Sequence, residues 1–284
     1  MKRMNGWFAA AAAMCCAAGM AQADIVTAQD FEGDPSTFDG WLCNGNQMQF
    51  WDEYGAYIGV PYSDFWGVEL RNETAGNPAL GDLTVWTGGM TYSVDIRVFN
   101  LVNFFGDQMN PEWFPVVLEF VDYGNPDDPF DNCSVYKVGP GLGQIEEHWK
   151  TFTWEVPDPS QAELPDGWGG TGAEDPNTFE PMLPEGRTYA SVMASVDEVR
   201  VTTMVPGYFY GANFWEVGFD YVVVQGEVAS CPADFDGSGF VDTDDFDAFV
   251  GAFEAGDDSA DFDGTGFVDT DDFDAFVGAF ESGC

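Results

Sequence analysis

Between Thr91 and Phe99 polar and apolar residues alternate without a break. Tyr92, Val94, Ile96 and Val98 fall on one side, and Thr91, Ser93, Asp95 and Arg97 on the other. A period of two predicts a strand with one face on a core. Similar runs lie at 116–123, 134–138, 149–156, 196–205 and 219–228, parted by segments rich in Gly, Pro, Asn and Asp. No helical period interrupts them, apart from a short turn expected near 144–148. The pattern predicts a mostly β domain over residues 24–229, a β-sandwich or jelly roll. The long break at 157–186 reads as a surface loop, because strand pattern resumes beyond it.

After residue 228 the period changes, and one stretch is written twice. Residues 234–256 and 261–283 agree at 21 of 23 positions, differing only at Ser238 against Thr265 and Ala255 against Ser282. In the first copy oxygen-bearing side chains stand at loop positions one, three, five, nine and twelve: Asp234, Asp236, Ser238, Asp242 and Asp245. In the second they are Asp261, Asp263, Thr265, Asp269 and Asp272. Gly occupies position six, where an EF-hand-type calcium loop turns sharply, and position seven, Phe240 or Phe267, offers its backbone carbonyl. Behind each loop Phe246, Phe249, Val250 and Phe253, then Phe273, Phe276, Val277 and Phe280, recur at helical spacing. Residues 230–284 are therefore expected to form a small helical module with two calcium loops.

These loops resemble the dockerin family, in which two calcium loops, each followed by a helix, pack as a module that docks onto a cohesin. Asp245 and Asp272, aspartates where a full EF-hand usually carries glutamate, support the resemblance. It implies two bound Ca2+ ions and a cohesin-like partner. The near-identity of the copies adds a docking surface usable in two orientations related by a half-turn, through Thr243 and Asp244 or through Thr270 and Asp271. Val250 and Gly251, or Val277 and Gly278, stand where better-known dockerins carry a basic pair.

Charge sharpens this picture. The net charge is −42, no Lys or Arg follows Arg200, and sixteen acids lie between Asp234 and Glu281. Nucleic acid and anionic lipid surfaces are poor partners for such a field. Two carboxylates about 4 Å apart near a surface repel by roughly 4 kcal/mol at an effective dielectric of 20. A short segment buries little to offset that, so folding of the module is expected to depend on calcium.

Residues 1–23 read as a secretory signal: Lys2 and Arg3, an apolar run from Phe8 to Met20, and Ala21-Gln22-Ala23 before a cleavage point. The run is too short to span a bilayer. A secreted location at the cell surface or beyond is expected. The mature chain keeps Cys43, Cys133, Cys231 and Cys284 in an oxidising compartment, with three pairings open. Cys231 with Cys284, which bracket the repeats, and Cys43 with Cys133 is the favoured set. Asn72-Glu73-Thr74 is a glycosylation sequon.

The sandwich resembles the jelly-roll carbohydrate-binding modules in four segments: 30–33 before Gly40-Trp41, 89–92, 148–152, and 218–222 in the last strand. In those modules an early Glu and an Asp of the final strand often share a structural calcium, which makes Glu32 and Asp220 candidates. Aromatic faces that stack on sugar rings are sought among Trp41, Trp51, Tyr54, Tyr57, Trp66, Tyr208, Tyr210 and Trp215. No catalytic motif appears among the recognised short patterns. Three readings stay open: a displayed sandwich that binds polysaccharide or another surface ligand, a polysaccharide-degrading hydrolase or lyase on the same sandwich, and a structural cell-envelope protein.

Overall fold

The computed structural model describes residues 24–32, 38–44, 47–52, 55–64, 67–125, 131–145, 148–208, 211–228, 232–236 and 241–282. They divide between two compact units, Ile25–Gly226 and Glu227–Cys284. The signal segment lies outside the described residues.

In chain order the first unit carries β1 (Asp24–Gln29), β2 (Trp41–Cys43), β3 (Met48–Asp52), β4 (Gly55–Asp64), β5 (Glu69–Asn72), β6 (Trp86–Asn103) and β7 (Pro115–Asp122). There follow β8 (Cys133–Gly141), β9 (Lys150–Val156), β10 (Trp168–Gly170), β11 (Ala173–Glu174), β12 (Pro181–Met182), the short helix α1 (Tyr189–Met193), β13 (Glu198–Thr202) and β14 (Asn213–Val228). One large sheet runs β3-β4-β14-β6-β9 with β1 on β14, and the other runs β10-β8-β7-β13-β5-β2. The chain is thus a mostly β protein, two large antiparallel sheets followed by a small helical region.

The alternation along β6 places Tyr92, Val94, Ile96 and Val98 in the core at 0–3% exposure. Across β9 the register sets Tyr92 opposite Trp154 and Val94 opposite Phe152, so apolar meets apolar on the inner side. The facing sheet contributes Leu118, Phe120, Val135, Val199 and Val201, all fully buried. Each such side chain contributes about 1.5–3 kcal/mol by leaving water.

The segment 157–186 is more than a surface loop. It adds β10 to the edge of the β7 sheet, pairing Gly169 with Tyr136, and folds β11 on β12. Trp168 is buried, its ring stacked at 6.3 Å from Phe120 and edge-on at 5.6 Å to Tyr189. Helix α1 escapes the sequence pattern because five residues are too few to show a period, although its capping box, Thr188 with Ser191, is complete.

The expected pairing of Cys43 with Cys133 is wrong: both are free, buried thiols. Cys43 ends β2 and Cys133 opens β8, and the order of the sheet puts β5, β13 and β7 between them. Four strand spacings are about 19 Å, whereas a disulfide needs Cα atoms within about 7 Å. Burial raises both thiol pKa values, with Glu69 adding to the effect at Cys43. Cys231 and Cys284 lie outside the described residues. The sequon is closed as well, since Asn72 is fully buried, donating to the Asp39 carbonyl at 3.0 Å and accepting from the Thr74 amide at 2.8 Å.

In the second unit α2 (Thr243–Ala255) and α3 (Thr270–Ser282) pack through phenylalanines. Phe249 and Phe276 are fully buried at the centre. Phe235 meets Phe249 edge-on at 5.3 Å and Phe262 meets Phe276 edge-on at 5.5 Å, so the duplicated sequence is matched by duplicated packing. Among the described residues no helix is long and apolar enough to cross a membrane.

Candidate functional site

Each repeat gathers three carboxylates. Asp234, Asp236 and Asp245 form one group, and Asp261, Asp263 and Asp272 the other, with one oxygen from each side chain within 4.8 Å of the others. The position-twelve aspartates are fully buried. Asp245 accepts from the amides of Asp236 at 3.0 Å and Asp242 at 2.8 Å, and Asp272 from those of Asp263 at 3.0 Å and Asp269 at 2.7 Å. Burial works to raise the Asp245 pKa, but the amides of Asp236, Asp242 and Phe235 outweigh it and hold the carboxyl below its usual value. At Asp272 the amides of Asp263 and Asp269 lead, with the same result. The two position-twelve carboxylates are thereby favoured in their charged form, as a cation site needs.

The ninth-position aspartates serve the helices. Asp242 caps α2 by accepting from the Asp244 amide at 2.8 Å, and Asp269 accepts from the Asp271 amide at 2.9 Å. Gly266, at position six, has φ +88°, a backbone that L side chains rarely adopt, and its amide donates to Asp261 Oδ2 at 2.8 Å. Asp261 Oδ1 is buried without a hydrogen-bond partner. An orphaned buried oxygen within an all-oxygen donor set fits a hard divalent cation such as Ca2+. Ser238 and Phe240 lie outside the described residues, while Thr265 is exposed, its amide bonded to Asp263 at 3.0 Å. The side chain of Phe267 is 74% exposed. Thr243, Asp244, Thr270 and Asp271 are all exposed at the starts of the two helices. Phe235 and Phe262 went unread in the sequence, although each sits between two aspartates of a triad where alternation already turns it inward.

On the sandwich the aromatic candidates separate. Trp41 and Trp215 are core residues at 3% and 0% exposure, so they are not stacking platforms. Trp41 borders a cavity of about 350 Å³ next to Asp39 and Thr74. Trp51 and Tyr208 are exposed, and Tyr54, Trp66 and Tyr210 lie outside the described residues. Tyr57 belongs to a cluster on the outer face of the β6 sheet. It stacks with Phe50 at 5.6 Å and Phe99 at 5.8 Å and meets Trp149 edge-on at 5.1 Å. Arg97 lies over Phe99 at 5.0 Å and pairs with Asp52 at 3.7 Å, and Trp149 donates to Asp52 at 3.3 Å.

Glu32 accepts from the Ala56 amide at 3.0 Å. Asp220 sits on β14 where Phe219, Val222 and Val224 all point inward, so two residues, Asp220 and Tyr221, fill one outward step; Tyr221 takes φ +48°. Burial lifts the Asp220 pKa to about 7, against the pull of the Tyr221 amide and with help from Asp95, Asp30 and Asp52. Among the described residues, groups of three or more metal-ligating acids occur only in the second unit.

The outer face of the β7 sheet carries a different lattice. Glu69, Glu119 and Glu198 are 9%, 6% and 0% exposed. Arg200 contacts Glu198 at 2.5 Å and Glu119 at 3.5 Å, and Arg71 reaches Glu198 at 3.5 Å and Glu69 at 3.8 Å. Ser134 donates to Glu119, and the Tyr123 hydroxyl to Glu198, each at 2.5 Å. Burial raises the pKa of Glu119 and Glu69, and Arg200 opposes it at both. Sequence alternation flagged neither Glu119 nor Glu198, because a charge in the outward register reads as solvated.

No family model matches the chain, and no curated protein matches it. Several solved structures overlap it loosely. One is a family 11 carbohydrate-binding module from Clostridium thermocellum in complex with a β-1,3-1,4-mixed-linked tetrasaccharide: 11% identity, 74% of this chain and 99% of that one, TM-score 0.40. Another is a xylan-binding module, at 12% identity, 74% of this chain and all of that one, TM-score 0.30. A third is an agarase, at 9% identity and TM-score 0.35, where the overlap takes 69% of this chain but only 25% of the agarase. Overlaps at this level do not define a shared family.

Proposed function

We propose that this is a secreted calcium-binding protein in which a β-sandwich that binds carbohydrate is carried by a dockerin-like module onto a cohesin-like partner. The pair of matched aspartate triads carries the reading. Each is made only of oxygen donors, its position-twelve aspartate is held by two backbone amides, and the two are joined through one phenylalanine core. Duplication of the site in near-identical form supports docking in either of two orientations. Calcium titration of the full mature chain by calorimetry tests it. Two sites and a gain of helical circular dichroism are expected, both lost in the double variant Asp234→Ala, Asp261→Ala. A chain that takes up no calcium at millimolar concentration would leave the module unexplained.

One observation favours a second reading, a polysaccharide-degrading enzyme: Glu119 and Glu198 flank a single guanidinium, and glycoside hydrolysis commonly uses two carboxyl groups. New reducing ends or unsaturated products from a polysaccharide panel, lost in Glu119→Gln, would select it. Silence in both binding and product assays would select a structural envelope role.

A further inference from the structure

The strand register of the β7 sheet aligns one residue from each of its six strands. Leu42 faces Arg71, Arg71 faces Arg200, Arg200 faces Glu119, Glu119 faces Tyr136, and Tyr136 faces Gly169. Partners across a ladder share a face, so these six form a single row on the outer side. Five strand spacings make it about 24 Å long.

We propose that this row is the ligand-binding surface of the sandwich and that its ligand is an uncharged glycan chain laid across the strands. The proposal rests on the carbohydrate reading above and gives it a place and a ligand class.

An outward sheet face is ordinarily solvated, yet here the carboxylates are buried while the arginine side chains paired with them stay partly exposed. The side chains of Arg71 and Arg200 keep 38% and 26% of their exposure. Taking three carboxylates out of water is costly, and apolar residues of similar volume would often be at least as stable. The lattice instead fixes position. Two planar groups rich in N–H donors are held in register from below, so little rotamer freedom is left to lose when hydroxyl groups bind.

At the other end of the row the Tyr136 ring lies against the Gly169 backbone. A Cβ there would come within 2.3 Å of the ring, so only glycine allows the approach. One ring face is thereby seated on the sheet, and the ring as a whole stays partly exposed. The aromatic cluster of the β6 sheet is a poorer platform, because its rings stack on one another and Arg97 covers Phe99.

Charge selects the ligand class. Three glutamates face two arginines, a net of −1, within a chain of net charge −42. Polyuronates are repelled by that field, whereas a neutral chain meets donors, acceptors and a ring.

Affinity electrophoresis of the full mature chain in calcium tests the proposal, with mixed-linkage β-glucan, xyloglucan, arabinoxylan and galactomannan as neutral probes and polygalacturonate and alginate as acidic ones. At least one neutral glycan is expected to retard the protein, and neither acidic one. Arg71→Met and Tyr136→Ala should each weaken that binding about tenfold or more with unchanged circular dichroism, and Tyr57→Ala on the other sheet should not. Tyr136→Ala breaks no ion pair, so it decides the matter even if Arg71→Met folds poorly. Retardation that survives both variants overturns the location, and retardation by the acidic probes alone overturns the ligand class. No retardation by any probe overturns the proposal and the carbohydrate reading together, leaving the calcium reading intact.

Discussion

Phe249 and Phe276 lie ring on ring, centroids 4.0 Å apart and planes 8° from parallel, at the centre of the C-terminal unit. They are equivalent residues of the two repeats, so each loop-helix half closes its core only with a ring from the other. Phe249→Ala and Phe276→Ala are therefore each expected to cost about 3–5 kcal/mol. The two costs should agree within about 0.5 kcal/mol. Thermal unfolding in saturating calcium checks this, and two clearly unequal losses would refute the equivalence.

Calcium removal should act on the same unit. Acidic triads in a stretch of sequence without Lys or Arg repel themselves, and an ion that binds only the folded form stabilises it by about 2.7 kcal/mol per site at a hundred times Kd. Chelation is expected to lower the melting temperature of the helical signal while the β signal of the sandwich holds. Asp261→Ala should remove one site and leave the other measurable by titration. A melting curve indifferent to chelator would sink this.

Asp220 makes stability depend on pH. Its folded pKa is raised to about 7 from the ordinary 3.8, chiefly by burial. Between these values the folded chain holds a proton that the unfolded chain has released, so this group's contribution falls as pH climbs through the window and is fully unfavourable above it. Asp220→Asn is expected to exceed the parent in stability at pH 8 by about 1–2 kcal/mol, after allowance for solvent screening. The difference should vanish near pH 3. Denaturant curves at the two pH values, run in chelator, measure it; a gain of equal size at both would remove Asp220 as the cause.

Cys43 and Cys133 should both be recovered as thiols. After unfolding without reductant, alkylation followed by peptide mapping is expected to label both, and the native protein should react far more slowly because both are buried. Recovery of a peptide linking the two would contradict the strand order.

The two aspartate triads were legible in the sequence because their chemistry is local. Carboxylates at fixed offsets around a glycine turn, followed by a helix, need no distant residue to be recognised, and Gly266 and the capping aspartates stand where the spacing demands. The β class was legible for the same reason, since the alternation along β6 records which side of a strand meets the core. Strand order was beyond reach. It depends on which segments pair across long loops, and the two cysteines that sequence reasoning joined ended four spacings apart. Nor does the pattern show that Trp41 and Trp215 face inward, or that Glu119, Arg200 and Arg71, separated along the chain, stand side by side. Local spacing decided the acidic triads and the kinds of element. Long-range pairing decided which side chains share a face, because contacts between distant segments are set by the packing of the whole sheet rather than by neighbours in sequence.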